Sequence, residues 1–148
     1  MRKYQIKWIG ALGLSILLVS CAKEAPAVDI GIHGIEVPAD ATVTERQTLE
    51  ERLSSVDLYE ADLPEWEFEE AIEWMESRLP VNESFDGMDY LEEGFLEDDE
   101  YTKSWNWSGL SRDKECHLLY VAVIDGDMGD PVSIRIADGV DTASACDV

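Results

Sequence analysis

Residues 42–56, TVTERQTLEERLSSV, decide the architecture. Thr42 and Glu45 stand at capping-box spacing, in which two side chains satisfy backbone N–H groups at a helix start. Leu49, Leu53 and Val56 fall on one side of a helical period, with polar residues elsewhere, as an amphipathic helix requires. A helix here, followed by a second helix and then strands, places the chain in the α+β class.

The second helix is expected in DLPEWEFEEAIEWMESRLP, residues 62–80. Asp62 and Glu65 suit a capping box and Pro64 suits the first turn. Phe68, Ile72, Met75 and Leu79 form one apolar stripe, and Pro80 ends the helix. Trp66 and Trp74 lie off that stripe, roughly 160° and 120° from Phe68 at about 100° per residue. Tryptophan is mostly buried, so a second element is expected to cover them. The competing expectation is an exposed aromatic contact with a protein partner, for which Trp66 and Trp74 are the candidates.

Downstream the period changes. Residues 104–110, SWNWSGL, alternate, with Trp105 and Trp107 on one side of a strand. Residues 116–124, CHLLYVAVI, are dense in β-branched and aliphatic side chains. DGDMGDP is a turn by composition, and VSIRIA alternates with Val132, Ile134 and Ile136 facing inward. These strands predict an antiparallel hairpin. Residues 82–104 are acidic with scattered aromatics and read as a solvated loop, with Tyr90, Leu91, Phe95 and Leu96 as a short helical turn. The expected fold is two-layer α+β: one or two N-terminal helices packed on a small antiparallel sheet of three to four strands, stapled by a disulfide.

The front of the chain has its own logic. Arg2, Lys3 and Lys7 precede the apolar run Ile9 to Val19, the order of a secretory signal. The uncharged stretch from Trp8 to Ala22 is 15 residues, short of the roughly 20 a spanning helix needs. Leu18-Val19-Ser20-Cys21 resembles the lipobox of bacterial lipoproteins. That resemblance implies a diacylglyceryl group on the Cys21 thiol, cleavage before Cys21, and acylation of the new amino terminus. Two or more acyl chains anchor stably where one does not. It also implies a place outside the cytoplasm. Because Ala22 is not the Asp of inner-membrane retention, that place is the outer membrane of a two-membrane cell, or otherwise the outer leaflet of the plasma membrane. The expected organisation is a signal peptide over 1–20, lipidated Cys21 with a flexible tether over 21–41, and one acidic domain over 42–148. The tether holds His33 as an ordinary linker residue, although VDIGIHGIEV alternates enough for a short strand.

Removal of residues 1–20 leaves 128 of 148, enough for one small domain. The leader takes three of 11 basic residues and none of 33 acidic ones, so the formal charge moves from −22 to −25. Such a surface repels nucleic acid and anionic headgroups. With Cys21 lipidated, Cys116 and Cys146 are left as an even pair, and an exported chain favours a disulfide between them. Such a loop closure stabilises by about 3.5 kcal/mol on the chain-entropy model.

Few motifs carry chemistry. Cys116 and His117 are adjacent on a strand and point to opposite faces, so they form no catalytic dyad. Asp125, Asp127 and Asp130 are weak candidates for calcium; Asp130 stands where a calcium loop needs glycine and Ile136 where it needs glutamate. Trp105 and Trp107 could stack on a wall sugar, but suit a core better. No catalytic residues, resident metal or cofactor are expected, and the chain is read as non-enzymatic. SWNWSGL, Cys116 and VSIRIADGVDTASACDV are also similar to small actinobacterial lipoproteins of the LppA type. That resemblance implies architecture, a Trp-rich strand and a final strand ending near a cysteine. The expected role is a lipid-anchored envelope protein acting through protein contacts or as a structural accessory. The alternative is a ligand-binding lipoprotein for a divalent cation or a cell-wall glycan.

Overall fold

A computed structural model describes residues 24–51, 54–92, 99–110 and 116–141. It is mostly β. A short hairpin pairs β1 (Ala27–Asp29) with β2 (Glu36–Pro38). The remaining strands are β3 (Thr42–Glu51), β4 (Ser54–Leu63), β5 (Asp89–Tyr90), β6 (Thr102–Leu110), β7 (Cys116–Ile124) and β8 (Val132–Asp141). They form one six-stranded sheet in the order β3-β4-β8-β7-β6-β5, antiparallel at every described pairing. One helix, α1 (Phe68–Glu76), crosses between β4 and β5.

The expected α+β layering is therefore corrected. The segment read as a first helix is β3 and the start of β4. Its threonines and Val43 suit a pleated strand. Leu49 and Val56, which a helix would stack on one face, are cross-strand partners. The sheet has six strands rather than three or four. No disulfide joins two described residues. Cys116 is disulfide-bonded, and Cys146, like the lipobox and Cys21, lies outside the described residues.

The tether is also corrected. Residues 27–38 form the β1–β2 hairpin, and Ile30, Ile32, Ile35 and Val37 are buried in the core. An extended linker would leave four aliphatic side chains in water; docking removes them from it.

Register explains the core. Trp105 lies opposite Val121, Val121 opposite Ile136, and Ile136 opposite Tyr59. One row of apolar side chains thus crosses four strands on a single face. Leu119, Val123, Ile134 and Trp107 extend it, and all are fully buried. Trp105 and Trp107 on β6 and Val132, Ile134 and Ile136 on β8, expected on one inward side, are all buried, and on β6 Ser104 and Asn106 are buried as well.

The second helix begins later than the sequence suggests. Asp62 and Leu63 still belong to β4, so Asp62 cannot cap a helix. Glu67 is the N-cap instead, and Glu70 accepts a hydrogen bond from its backbone N–H at 3.3 Å. The buried face is rotated too. Ala71, Trp74 and Met75 are buried, whereas Phe68 and Ile72 are only half-buried. Trp66 and Trp74 meet edge to face at 6.0 Å. Trp66 Nε1 donates to Asp40 at 3.0 Å, and the Arg78 guanidinium lies 3.7 Å from the Trp74 ring centroid. Neither tryptophan presents a free face to a partner protein.

Candidate histidine–carboxylate site

Both histidines of the chain arrive at one place. His33 comes from the loop between β1 and β2. That loop is tight: Ile30 N–H donates to the Ile35 carbonyl at 3.0 Å, and Ile35 N–H to the Ile32 carbonyl at 2.8 Å. It turns through positive φ at Gly31, His33 and Gly34. Left-handed backbone suits glycine but strains histidine. His33 keeps φ 48° because its ring is gripped at both ends.

One grip is Asp86. Phe85 and Met88 exchange backbone hydrogen bonds at 2.9 Å around Asp86-Gly87. Both central residues have positive φ, the geometry of a two-residue hairpin turn that favours Asp-Gly. Trp107 fixes this turn to the sheet. Its Nε1 donates to the Glu83 carbonyl at 3.0 Å, and Phe85 packs against its ring at 5.4 Å. Asp86 Oδ2 then stands 2.9 Å from His33 Nδ1.

The other grip is Asp138, on β8. Ile134, Ile136 and Asp138 share one face by the two-residue period of a strand. His117 shares the same face with Leu119 and Val121 on β7. Asp138 pairs with Leu119, and His117 with Val140, so His117 and Asp138 are diagonal neighbours. Asp138 Oδ2 lies 3.0 Å from His33 Nε2, and Asp138 Oδ1 lies 3.3 Å from His117 Nδ1. The two imidazoles meet edge to face at 5.9 Å.

The side chains of His33, His117 and Asp138 are only 10 to 12% exposed. Partial burial strengthens charge interactions beyond their surface value. The hydrogen bond to Asp138 raises the His33 pKa; burial opposes it, while Asp86 adds to it, and the result is about 9. For Asp138 burial pushes the carboxyl up, but the hydrogen bonds and charges of His33 and His117 outweigh it and leave the pKa below the ordinary carboxylate value. A polar cleft of about 470 Å³ opens between the β1–β2 loop and strands β3 and β4. Arg46, Thr48 and Asp57 line it with Gly31, and Asp57 is the cross-strand partner of Asp138.

Among the described residues, His33, His117 and Asp138 form the one group of donors close enough to share an ion, every donor atom within 4.8 Å of the others. Asp125, Asp127 and Asp130 form no such group. Asp127 and Asp130 are exposed around a short 3₁₀ turn, Asp127–Gly129. Trp105 and Trp107 are core residues, at most 1% exposed, and offer no stacking platform. Cys116 is disulfide-bonded, and the His117 imidazole faces Asp138.

The sequence held a usable signal for half of this site. His117 stands two residues before Leu119, and Asp138 two after Ile136. Extending the expected inward faces by one step would have brought them together. His33 and Asp86 carried no such signal, because only the folded chain brings their loops to the sheet. No protein-family model matches the chain, and neither a curated protein nor a solved structure matches it.

Proposed function

We propose that the chain is a lipid-anchored, non-enzymatic accessory of the bacterial cell envelope, held against the membrane through Cys21 and acting through contacts with an envelope protein. The observation that carries this is the lipobox-like Leu18-Val19-Ser20-Cys21 behind a basic leader and an apolar run, with the first described strand close after it. β1 begins at Ala27, and at about 3.3–3.6 Å per residue an extended chain covers roughly 20 Å between Cys21 and Ala27. A lipid on Cys21 would hold the domain close to the bilayer surface. The disulfide at Cys116 agrees with an oxidising compartment and leaves that sulfur unavailable as a nucleophile. The proposed partner of Cys116 is Cys146.

Metabolic labelling with an alkyne fatty acid in a bacterial host tests the anchor. The wild-type chain takes up label and migrates as a cleaved form, and Cys21→Ser does neither. An unlabelled cytosolic chain that retains Met1 would overturn the proposal.

A second reading, ligand binding, is favoured by one observation: the convergence of His33, His117 and Asp138 from three separate segments. It favours a divalent cation over a wall glycan, since the tryptophans that a glycan would stack on are buried.

A further inference from the structure

We propose that His33 Nε2, His117 Nδ1 and the Asp138 carboxylate form a binding site for a zinc-type transition-metal ion, with Asp86 orienting the His33 ring. This deepens the ligand-binding reading and does not depend on the anchor at Cys21.

Distance is the first ground. Ligands at the corners of a tetrahedron around zinc, with bonds of about 2.0–2.1 Å, stand roughly 3.3–3.4 Å apart. His33 Nε2 and His117 Nδ1 already lie 3.0 and 3.3 Å from oxygens of Asp138. These two contacts are close to two edges of such a tetrahedron, and all three donor atoms lie within 4.8 Å of one another. A fourth corner is left for water or an added ligand, the pattern of an open rather than a closed site.

Orientation is the second. A metal-bound histidine almost always gives its other ring N–H to a carboxylate or carbonyl, which fixes the tautomer and turns the ring. His33 Nδ1 lies 2.9 Å from Asp86 Oδ2. With the proton on Nδ1, the Nε2 lone pair points at Asp138. The relay Asp86–His33–ion joins the 85–88 turn, the β1–β2 loop and β8, parts of the chain up to 105 residues apart in sequence.

Charge is the third. Two carboxylates face two imidazoles. One doubly charged ion bound by two neutral imidazoles balances the two carboxylates. Mixed imidazole and carboxylate donors suit zinc, cobalt, nickel or copper; calcium and magnesium prefer oxygen alone.

The test uses the full chain in detergent without a histidine tag, stripped with EDTA and dialysed. Zn²⁺ alone is titrated calorimetrically at 0.15 M salt with excess Mg²⁺, which occupies the many surface carboxylates. One equivalent is expected to bind, with affinity at least 10-fold weaker in His117→Gln and in His33→Gln. Asp86→Asn is expected to weaken it 10- to 100-fold while leaving all three ligands in place. Excess Ca²⁺ should not displace the zinc. If His117→Gln does not fold, as judged by circular dichroism, Co²⁺ in the wild-type chain decides. Intense tetrahedral visible bands support the site; weak octahedral bands overturn it. No stoichiometric zinc binding, or binding equal in the wild type and in folded His33→Gln and His117→Gln, would equally overturn it. Lipid labelling at Cys21 is read separately, so failure here and failure of the anchor are distinguishable.

Discussion

His33 is held in a backbone conformation that few non-glycine residues adopt, and its ring touches charged groups on two sides. In the metal-free chain the groups facing it are Asp86 from the 85–88 turn, Asp138 from β8, and the His117 ring from β7. Its folded pKa of about 9 lies above the ordinary 6.5. A raised pKa means that the folded chain binds the proton more tightly than the unfolded chain. The stabilisation is complete below pH 6.5 and is lost as pH rises toward 9. Asp138 works in the opposite sense: its pKa is lowered from 3.8, so its contribution is present above that value and is lost as pH falls below it. Urea midpoints measured in EDTA should fall between pH 6.5 and pH 9 for the wild type. His33→Gln should be less stable at pH 6.5 and should lose that slope. A slope equal in both chains would place the titrating group elsewhere. The Asp138–His117 half of this cluster follows from strand alternation. The His33–Asp86 half does not, because loop closure between residues 53 positions apart leaves no local pattern in the sequence.

At the scale of elements, the sequence separated period two from period 3.6 well where the strands are apolar and poorly where they are polar. β7 is dense in aliphatic residues and β8 alternates in them, so their hairpin and the inward face of β8 were legible. β3 lies at the edge of the sheet and is largely exposed, so its two-residue period carries little hydrophobic contrast. Leu49 and Val56 are seven positions apart, which is two helical turns but also the separation across a β-hairpin. Local spacing fits both, and pairing of β4 with β8 decides for the strand. In α1 the reverse happened: the helix was legible but its buried face was not, because Trp74 packs on Trp66 and under Arg78. Trp74→Ala should destabilise by about 3–5 kcal/mol, the usual cost of emptying a buried aromatic site. Phe68→Ala, at a half-buried position, should cost distinctly less. Urea unfolding of the two variants compares them directly. An equal or larger cost at Phe68 would mean that the helix sits with its other face inward.

For the molecule as a whole, the dominant physical fact is excess negative charge, −22 over the full chain. The fold does not dilute it by separating acids. Glu45 stands opposite Glu60 across β3 and β4, and Asp57 opposite Asp138 across β4 and β8. Like charges directly opposed on a sheet destabilise it. Compensation is local: Thr48 donates to Asp57 at 2.6 Å, Arg135 pairs with Glu60 at 3.0 Å, and the two histidines hold Asp138. With 11 basic residues against 33 acidic ones, most carboxylates can have no lysine or arginine of their own. Self-repulsion of that kind opposes the compact state and is screened by salt, the Debye length falling from about 30 Å at 0.01 M to about 10 Å at 0.1 M. Exposed pairs such as Arg135–Glu60 weaken over the same range, but each contributes at most about 1 kcal/mol. The repulsive excess should therefore set the sign. Scanning calorimetry of the full chain in detergent and EDTA should find Tm rising between those two salt concentrations, with NaCl and KCl equivalent because screening ignores the identity of the ion. A Tm that stays level or falls would mean that attraction within the cross-strand and histidine pairs outweighs the surplus of carboxylates, and that the acidic surface costs the fold nothing.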